Sequence, residues 1–188
     1  MALRSLAEPR WFTAEDLEKM PPELRVELIN GELRKMPPPP NEEHGSLTNE
    51  FGWRVSAFVD AHDLGRCYAA ETGFKIRRQP DTVRGPDFAF VSRERLNGPP
   101  GKKHLPLAPD LVLETLSPSQ SLGYVDEKID GWLRAGSRMG VVADSDARTL
   151  TVHRPGREAK VLTMDDEFDG EDVLPGFRLP VRQLFGGG

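Results

Sequence analysis

Two short apolar runs each carry one carboxylate, and they narrow both the fold and the chemistry. Asp87 follows Pro86 and leads into Phe88-Ala89-Phe90-Val91, while Glu114 sits inside Leu111-Val112-Leu113-Glu114-Thr115-Leu116. Runs of this length and make-up read as strands. An unpaired charge among buried apolar side chains is costly. Each acid therefore needs a partner: a metal, a cation or a set of backbone donors. For either acid alone, a salt bridge at a strand end meets that need as well as a metal does. Two such acids on neighbouring strands offer more. Mg²⁺ takes oxygen ligands and keeps several waters, which leaves room for a phosphate oxygen and an attacking water.

The rest of the chain supplies the layers around these strands. Thr13 followed by Ala14-Glu15-Asp16 reads as a capped helix start. Residues 25–36 read as two short strands around Asn30-Gly31, a strong hairpin signal. Pro37-Pro38-Pro39-Pro40 is a stiff extended connector. A long helix is expected over residues 44–62, where Leu47, Phe51, Val55, Phe58 and Val59 recur at helical spacing. Residues 72–78 alternate as a strand should. A second helix is expected over 124–135, stopped by Gly136. Strands follow at 139–143, 149–153 and 159–164, and the tail from 173 to 185 reads as irregular and apolar. Gly186-Gly187-Gly188 reads as a frayed end. The order implies an α/β fold of the α+β kind, a mixed central sheet flanked by helices. A single domain is expected over 1–188, with an N-terminal extension at 1–36 and C-terminal strands at 149–185.

Lys128 falls on the helix that follows the Glu114 strand, reached through Ser117-Pro118-Ser119. From there its ammonium can point back over the sheet edge toward the acids and stabilise a crowded, negatively charged transition state. A solvated helix lysine is the ordinary alternative.

These residues also match a pattern. Glu27-Leu28-Ile29-Asn30-Gly31-Glu32, a histidine at His44, Pro86-Asp87, Leu113-Glu114-Thr115-Leu116-Ser117-Pro118-Ser119, Lys128, Trp132-Leu133-Arg134-Ala135-Gly136 and Leu174-Pro175-Gly176-Phe177 resemble, in order and spacing, the motifs of the Uma2 family. The likeness spans residues 13–185. It implies the PD-(D/E)XK, restriction-endonuclease-like fold, phosphodiester hydrolysis with Mg²⁺ or Mn²⁺, nucleic acid (DNA) as partner, and homodimers. By the same resemblance Asp87 and Glu114 are the metal ligands, with the Thr115 carbonyl as a further one. Lys128 is the catalytic lysine, Glu27 adds an acid, and His44 is a phosphate contact or supporting residue. Glu27 and His44 are both expected to border the cleft. The chain departs from the pattern in places. Leu116 occupies the position two residues after the glutamate where the wider superfamily has its lysine. Tyr124, Gly140, Val141, Val26 and Asn30 replace other common family residues.

Composition excludes several classes. No apolar run approaches the ~20 residues that cross a bilayer. The first ten residues lack the apolar core of a signal peptide, so no membrane partner and a cytoplasmic location are expected. One cysteine, Cys67, forms no intrachain disulfide and no thiolate zinc cage; it reads as a small packed residue. There is no Gly-x-Ser-x-Gly elbow to make a nucleophile of Ser117 or Ser119, and no nucleotide-cofactor fingerprint. Lys102-Lys103-His104, Arg77-Arg78 and Arg84 are candidate phosphate contacts, or plain loop and edge charges. The net charge of −5 and the missing in-strand lysine favour an alternative reading, a non-catalytic binding module that retains the nuclease fold. The intact set of Asp87, Glu114 and Lys128 favours the enzyme.

Overall fold

The computed structural model describes residues 11–117 and 122–186. Residues 1–10, 118–121, Gly187 and Gly188 lie outside them, so the Pro118-Ser119 part of the expected motif is not described. Helix α1 (Ala14–Leu17) starts where Thr13 and Asp16 cap each other: the Thr13 hydroxyl accepts the Asp16 N–H at 3.1 Å, and the Asp16 carboxylate accepts the Thr13 N–H at 3.0 Å. Strands β1 (Val26–Ile29) and β2 (Glu32–Lys35) form the expected hairpin. Asn30 and Gly31 hold φ of 51° and 79°, the left-handed pair that a two-residue hairpin turn requires. Helix α2 (Glu42–Ala61) begins two residues earlier than the apolar spacing implied, because the Asn41 side chain caps it by accepting the His44 N–H at 3.0 Å.

Next come β3 (Gly65–Ala69), β4 (Phe74–Arg77), β5 (Thr82–Arg84), β6 (Phe88–Ser92), β7 (Leu111–Thr115) and α3 (Leu122–Arg134). Strands β8 (Met139–Asp144), β9 (Thr149–His153), β10 (Lys160–Leu162), β11 (Glu167–Asp169) and β12 (Arg178–Pro180) follow, and then the short helix α4 (Arg182–Phe185). The tail is thus more ordered than the sequence reading, which took 173–185 as irregular. β12 pairs antiparallel with β11, burying Phe168 and Leu179.

Among the described residues the main sheet has the order β10-β9-β8-β7-β6-β3, and a second sheet the order β2-β1-β5-β4. The main sheet is mixed: β7 and β8 run parallel and the other pairs antiparallel. The parallel pair needs a crossover, and α3 is that crossover. Side chains alternate between the two layers. Phe88, Phe90, Leu111, Leu113, Met139 and Val141 face α2 and the C-terminal segment. Ala89, Val91, Val112 and Val142 face α3, where they meet Val125, Ile129 and Trp132. Gly140 belongs to this packing. A Cβ there would lie 2.7 Å from Ile129 Cγ2, so its lack of a side chain lets α3 close onto the sheet. No helix among the described residues is long and apolar enough to cross a membrane.

Candidate active site

Asp87 stands at the end of the β6–β7 ladder. Its N–H donates to the Leu113 carbonyl at 3.1 Å, which continues the Phe88–Leu113 register by one residue. Its side chain then replaces the missing strand partner: Oδ2 accepts the Thr115 N–H at 2.7 Å. The same oxygen meets His44 Nε2 at 3.1 Å. His44 reaches it from the first turn of α2, which the Asn41 cap fixes. One layer deeper, the hydroxyls of Thr48 and Thr115 lie 2.8 Å apart and tie α2 to the end of β7.

Glu114 points to the other layer. It is 4% exposed, and donors from α3 engage both of its oxygens. Lys128 Nζ donates to Oε2 at 2.7 Å and Trp132 Nε1 donates to Oε1 at 2.9 Å. Lys128 and Trp132 are four residues apart, so one helix face delivers both. Lys128 also donates to the Gly85 carbonyl at 3.2 Å. The lysine therefore sits beside the acid, not in solvent.

The environment drives the two carboxyls apart. Burial pushes Glu114 up, and the neighbouring Asp87 charge adds to this against the pull of Lys128 and Trp132. The result is a group that titrates at about 7. Burial also pushes Asp87 up, but the His44 hydrogen bond, the Lys128 charge and the Thr115 N–H outweigh it and hold it below the ordinary carboxylate value. Burial opposes the charge on Lys128, yet Glu114, Glu27 and Asp87 together keep it protonated. Two carboxyls in one place, one firmly ionised and one poised near neutrality, is a pattern suited to acid–base and metal chemistry.

Asp87, Glu114, Lys128 and His44 all border one cleft of about 720 Å³, with α2 as one wall and the segment from Met36 to Pro40 at its lip. Glu27 does not border it, contrary to expectation. Its carboxylate accepts the Gly85 N–H at 3.3 Å and pairs with Arg84 at 3.4 Å, behind the peptide whose carbonyl holds Lys128. The β1 residue is thus one step removed: it steadies the Gly85 turn and adds negative potential at Lys128.

The other candidates separate. Arg77 donates to the Asn30 side chain at 2.8 Å, and Arg84 is taken by Glu27, so both brace the smaller sheet. Lys102, Lys103 and His104 line a different cleft with Arg66 and Tyr68. Burial pushes the Cys67 thiol up to about 11, as suits a packed residue and not a nucleophile. Ser117 borders the main cleft. Sequence reasoning passed over Trp132 and Thr48 as site residues. The signal for Trp132 was present, one helical turn from Lys128. Thr48 gave none, because only the folded sheet brings it to Thr115.

Among the described residues, no group of three or more His, Cys, Asp or Glu side chains is arranged to hold a metal ion. A cation here would rest on the two carboxylates and backbone oxygen. That donor set is all oxygen, which suits a hard cation such as Mg²⁺, commonly held by one or two carboxylates with water and phosphate completing its shell. Both described hydrogen bonds to Asp87 fall on Oδ2. Glu114 has no such spare oxygen and would have to loosen one donor.

The model of the Uma2 family, described as "Putative restriction endonuclease", matches residues 14–182. Among solved structures, a protein from Anabaena variabilis ATCC 29413, described as "a putative nuclease belonging to DUF820", is similar with a TM-score of 0.78 and 25% identity. The likeness covers 93% of this chain and 97% of that one. No curated protein matches.

Proposed function

This chain belongs to the Uma2 family, and from that membership and the cleft we propose that it is a divalent-metal-dependent nuclease that hydrolyses phosphodiester bonds of DNA. The observation that carries the reading is Glu114, a buried acid near neutrality that shares a cleft with the ionised Asp87 and a charged lysine. Asp87 and Glu114 would hold Mg²⁺ or Mn²⁺, which when bound supplies Lewis acidity at the phosphate and a more acidic water. The chain's own groups do the rest. The Thr115 N–H and His44 fix the Asp87 carboxylate in one orientation. Lys128, held protonated, offers an ammonium where charge develops on the phosphate oxygens. Trp132 keeps Glu114 from rotating away. Work in the cytoplasm as a homodimer belongs to the same proposal.

A second reading, a nucleic-acid-binding module without catalysis, has one observation in its favour: protein donors already engage both Glu114 oxygens. One assay separates the two. Purified protein is incubated with single- and double-stranded DNA and RNA across a metal series, with EDTA as control. Cleavage should need Mg²⁺ or Mn²⁺, and Asp87→Ala or Glu114→Ala should lower it at least ~1,000-fold. Lys128→Ala should lower the rate by about 100-fold, in the range of a lost electrostatic donor, with less effect on metal binding. No cleavage with any metal, together with no metal binding by calorimetry, selects the module. Cleavage that survives Asp87→Ala removes the site.

A further inference from the structure

The cleft is nearly neutral, which is unusual for a surface expected to receive a polyanion. Two cations border it, and each is already paired with an acid of the lining, Arg25 with Glu71 at 3.1 Å and Lys128 with Glu114 at 2.7 Å, while the His44 ring is engaged by Asp87 at 3.1 Å. The chain as a whole carries −5. Phosphate attraction alone is therefore a weak source of affinity here, and another contact must hold the strand.

Trp53 supplies one. It lines the same cleft and is 49% exposed, in a helix whose other large apolar residues are mostly buried. Its ring is braced. The Arg54 guanidinium lies over it at 4.5 Å, its Nε1 donates to Glu50 at 3.3 Å, and Arg54 pairs with Glu50 at 3.2 Å and donates to the Gln183 carbonyl at 3.2 Å. Arg54 borders the neighbouring pocket and not this one, so the guanidinium backs the indole and leaves its cleft side open. A fixed, half-exposed aromatic plane is a stacking platform for a nucleotide base. Between Trp53 and the site, α2 presents Gly45, Thr48, Asn49 and Gly52 to the cleft, small or polar side chains that leave a track. Trp53 follows His44 by nine residues, about 13 Å along the helix axis at 1.5 Å per residue and half a turn around it, so the two side chains border opposite edges of the face that α2 turns to the cleft. At 3.4 Å per step the rise alone is about four base steps, and the path around the helix adds to it.

Resting on the nuclease reading above, we propose that Trp53 is a positioning residue that stacks an unpaired base of the DNA strand, a few nucleotides from the phosphate at Asp87 and Glu114, and that the preferred substrate is therefore single-stranded or locally unpaired DNA. A base inside a duplex already has both faces covered and has no plane to give to the indole.

The test measures binding, with EDTA present so that nothing is cut. Anisotropy of a labelled thymidine 12-mer is compared with an abasic strand of the same length and with a duplex, for wild type, Trp53→Ala and Trp53→Phe. The single strand should bind at least tenfold more tightly than the duplex. Trp53→Ala should weaken it about tenfold, the loss of one stacked base, while Trp53→Phe keeps most of the affinity. On the abasic strand Trp53→Ala should change nothing, an outcome that a merely structural role for the side chain would not give. Equal binding of single strand and duplex, no effect of Trp53→Ala, or the same loss on the abasic strand would overturn the proposal. If Trp53→Ala does not fold, the emission of Trp53 alone, left in a Trp11→Phe/Trp132→Phe protein, should be quenched by the 12-mer and not by the abasic strand, and no quenching overturns the proposal. The two readings also fail separately. Trp53-dependent binding by a protein that cuts nothing removes the nuclease and keeps the stacking site. Equal cutting of duplex and single strand by wild type and Trp53→Ala does the reverse.

Discussion

The two sheets of this molecule are held together by different physics. In the main sheet, β6, β7 and the first five residues of β8 are buried along their length, and helices cover both faces with large apolar side chains. The smaller sheet has a small core of its own, Ala14, Leu28 and Val83 with Leu17 and Leu33 packed against them, and lends Phe74 of β4 to the apolar layer under α3. It relies instead on polar ties. Asp81 accepts the Ala14 N–H at 2.9 Å and pairs with Lys75 at 2.6 Å, the Thr82 hydroxyl accepts the Asn30 N–H at 3.0 Å, and Arg84 meets Glu27. The difference matters because the site lies along the seam. Asp87 and Glu114 stand on the rigid sheet, while Gly85, which holds Lys128, follows directly from the tied one. Apolar burial fixes the acids, and a polar lattice sets the lysine's second contact.

The largest effect should come from the core of the rigid sheet. Phe51 is fully buried and meets Phe88 and Phe168 edge-on at 6.1 and 5.5 Å. Phe51→Ala removes that packing and leaves a cavity, so a loss of about 3–5 kcal/mol is expected in denaturant unfolding. A loss below ~1.5 kcal/mol would mean that this layer collapses easily, and the contrast between the sheets would fall.

A smaller effect tests how the core and the site are joined. Trp132→Phe keeps most of the buried ring but removes the N–H on Glu114 Oε1. A buried acceptor left unpaired costs about 1–3 kcal/mol. The same bond favours the ionised carboxyl, so its loss should lift Glu114 further above about 7. In the metal-free protein the Glu114 carboxyl of the variant should therefore titrate at a higher pH than that of wild type, read by NMR. An unchanged titration would show that the Trp132 bond does not set it.

What the sequence disclosed follows the same division. The Asn30-Gly31 turn was legible because its chemistry is local, and the acids were legible because a carboxylate in an apolar strand is too costly to be idle. β3 was passed over: Gly65, Arg66 and a half-buried pattern give no periodicity, and its place at the edge is set only by pairing with β6. β5, β11 and β12 have three residues each, too few for any period to show. Glu27 was expected at the cleft because its motif suggests function, yet the Gly85 peptide stands between them. Trp53 carried no signal at all, since an aromatic on a helix reads the same whether it packs or projects.

The smallest effect bears on the tied sheet, and its pH dependence distinguishes a charge tie from a packing one. Burial pushes the Asp81 carboxyl up, but hydrogen bonds from Lys75 and the Ala14 N–H outweigh it and hold the group below the ordinary value. A carboxyl lowered in the folded state stabilises above its unfolded pKa and loses that contribution as pH falls through the folded one. Asp81→Asn keeps an oxygen to accept the Ala14 N–H and removes the charge opposite Lys75. At pH 7 it should cost about 1 kcal/mol, the net value of one hydrogen-bonded contact. As the pH drops below the ordinary carboxylate range near 4, the wild-type group takes up its proton and the gap between wild type and variant should close. Thermal unfolding of both proteins from pH 7 down to pH 3 reads this directly. A gap that stays constant with pH would mean that Asp81 acts by shape and hydrogen bonding alone, and the smaller sheet would then be held as the larger one is.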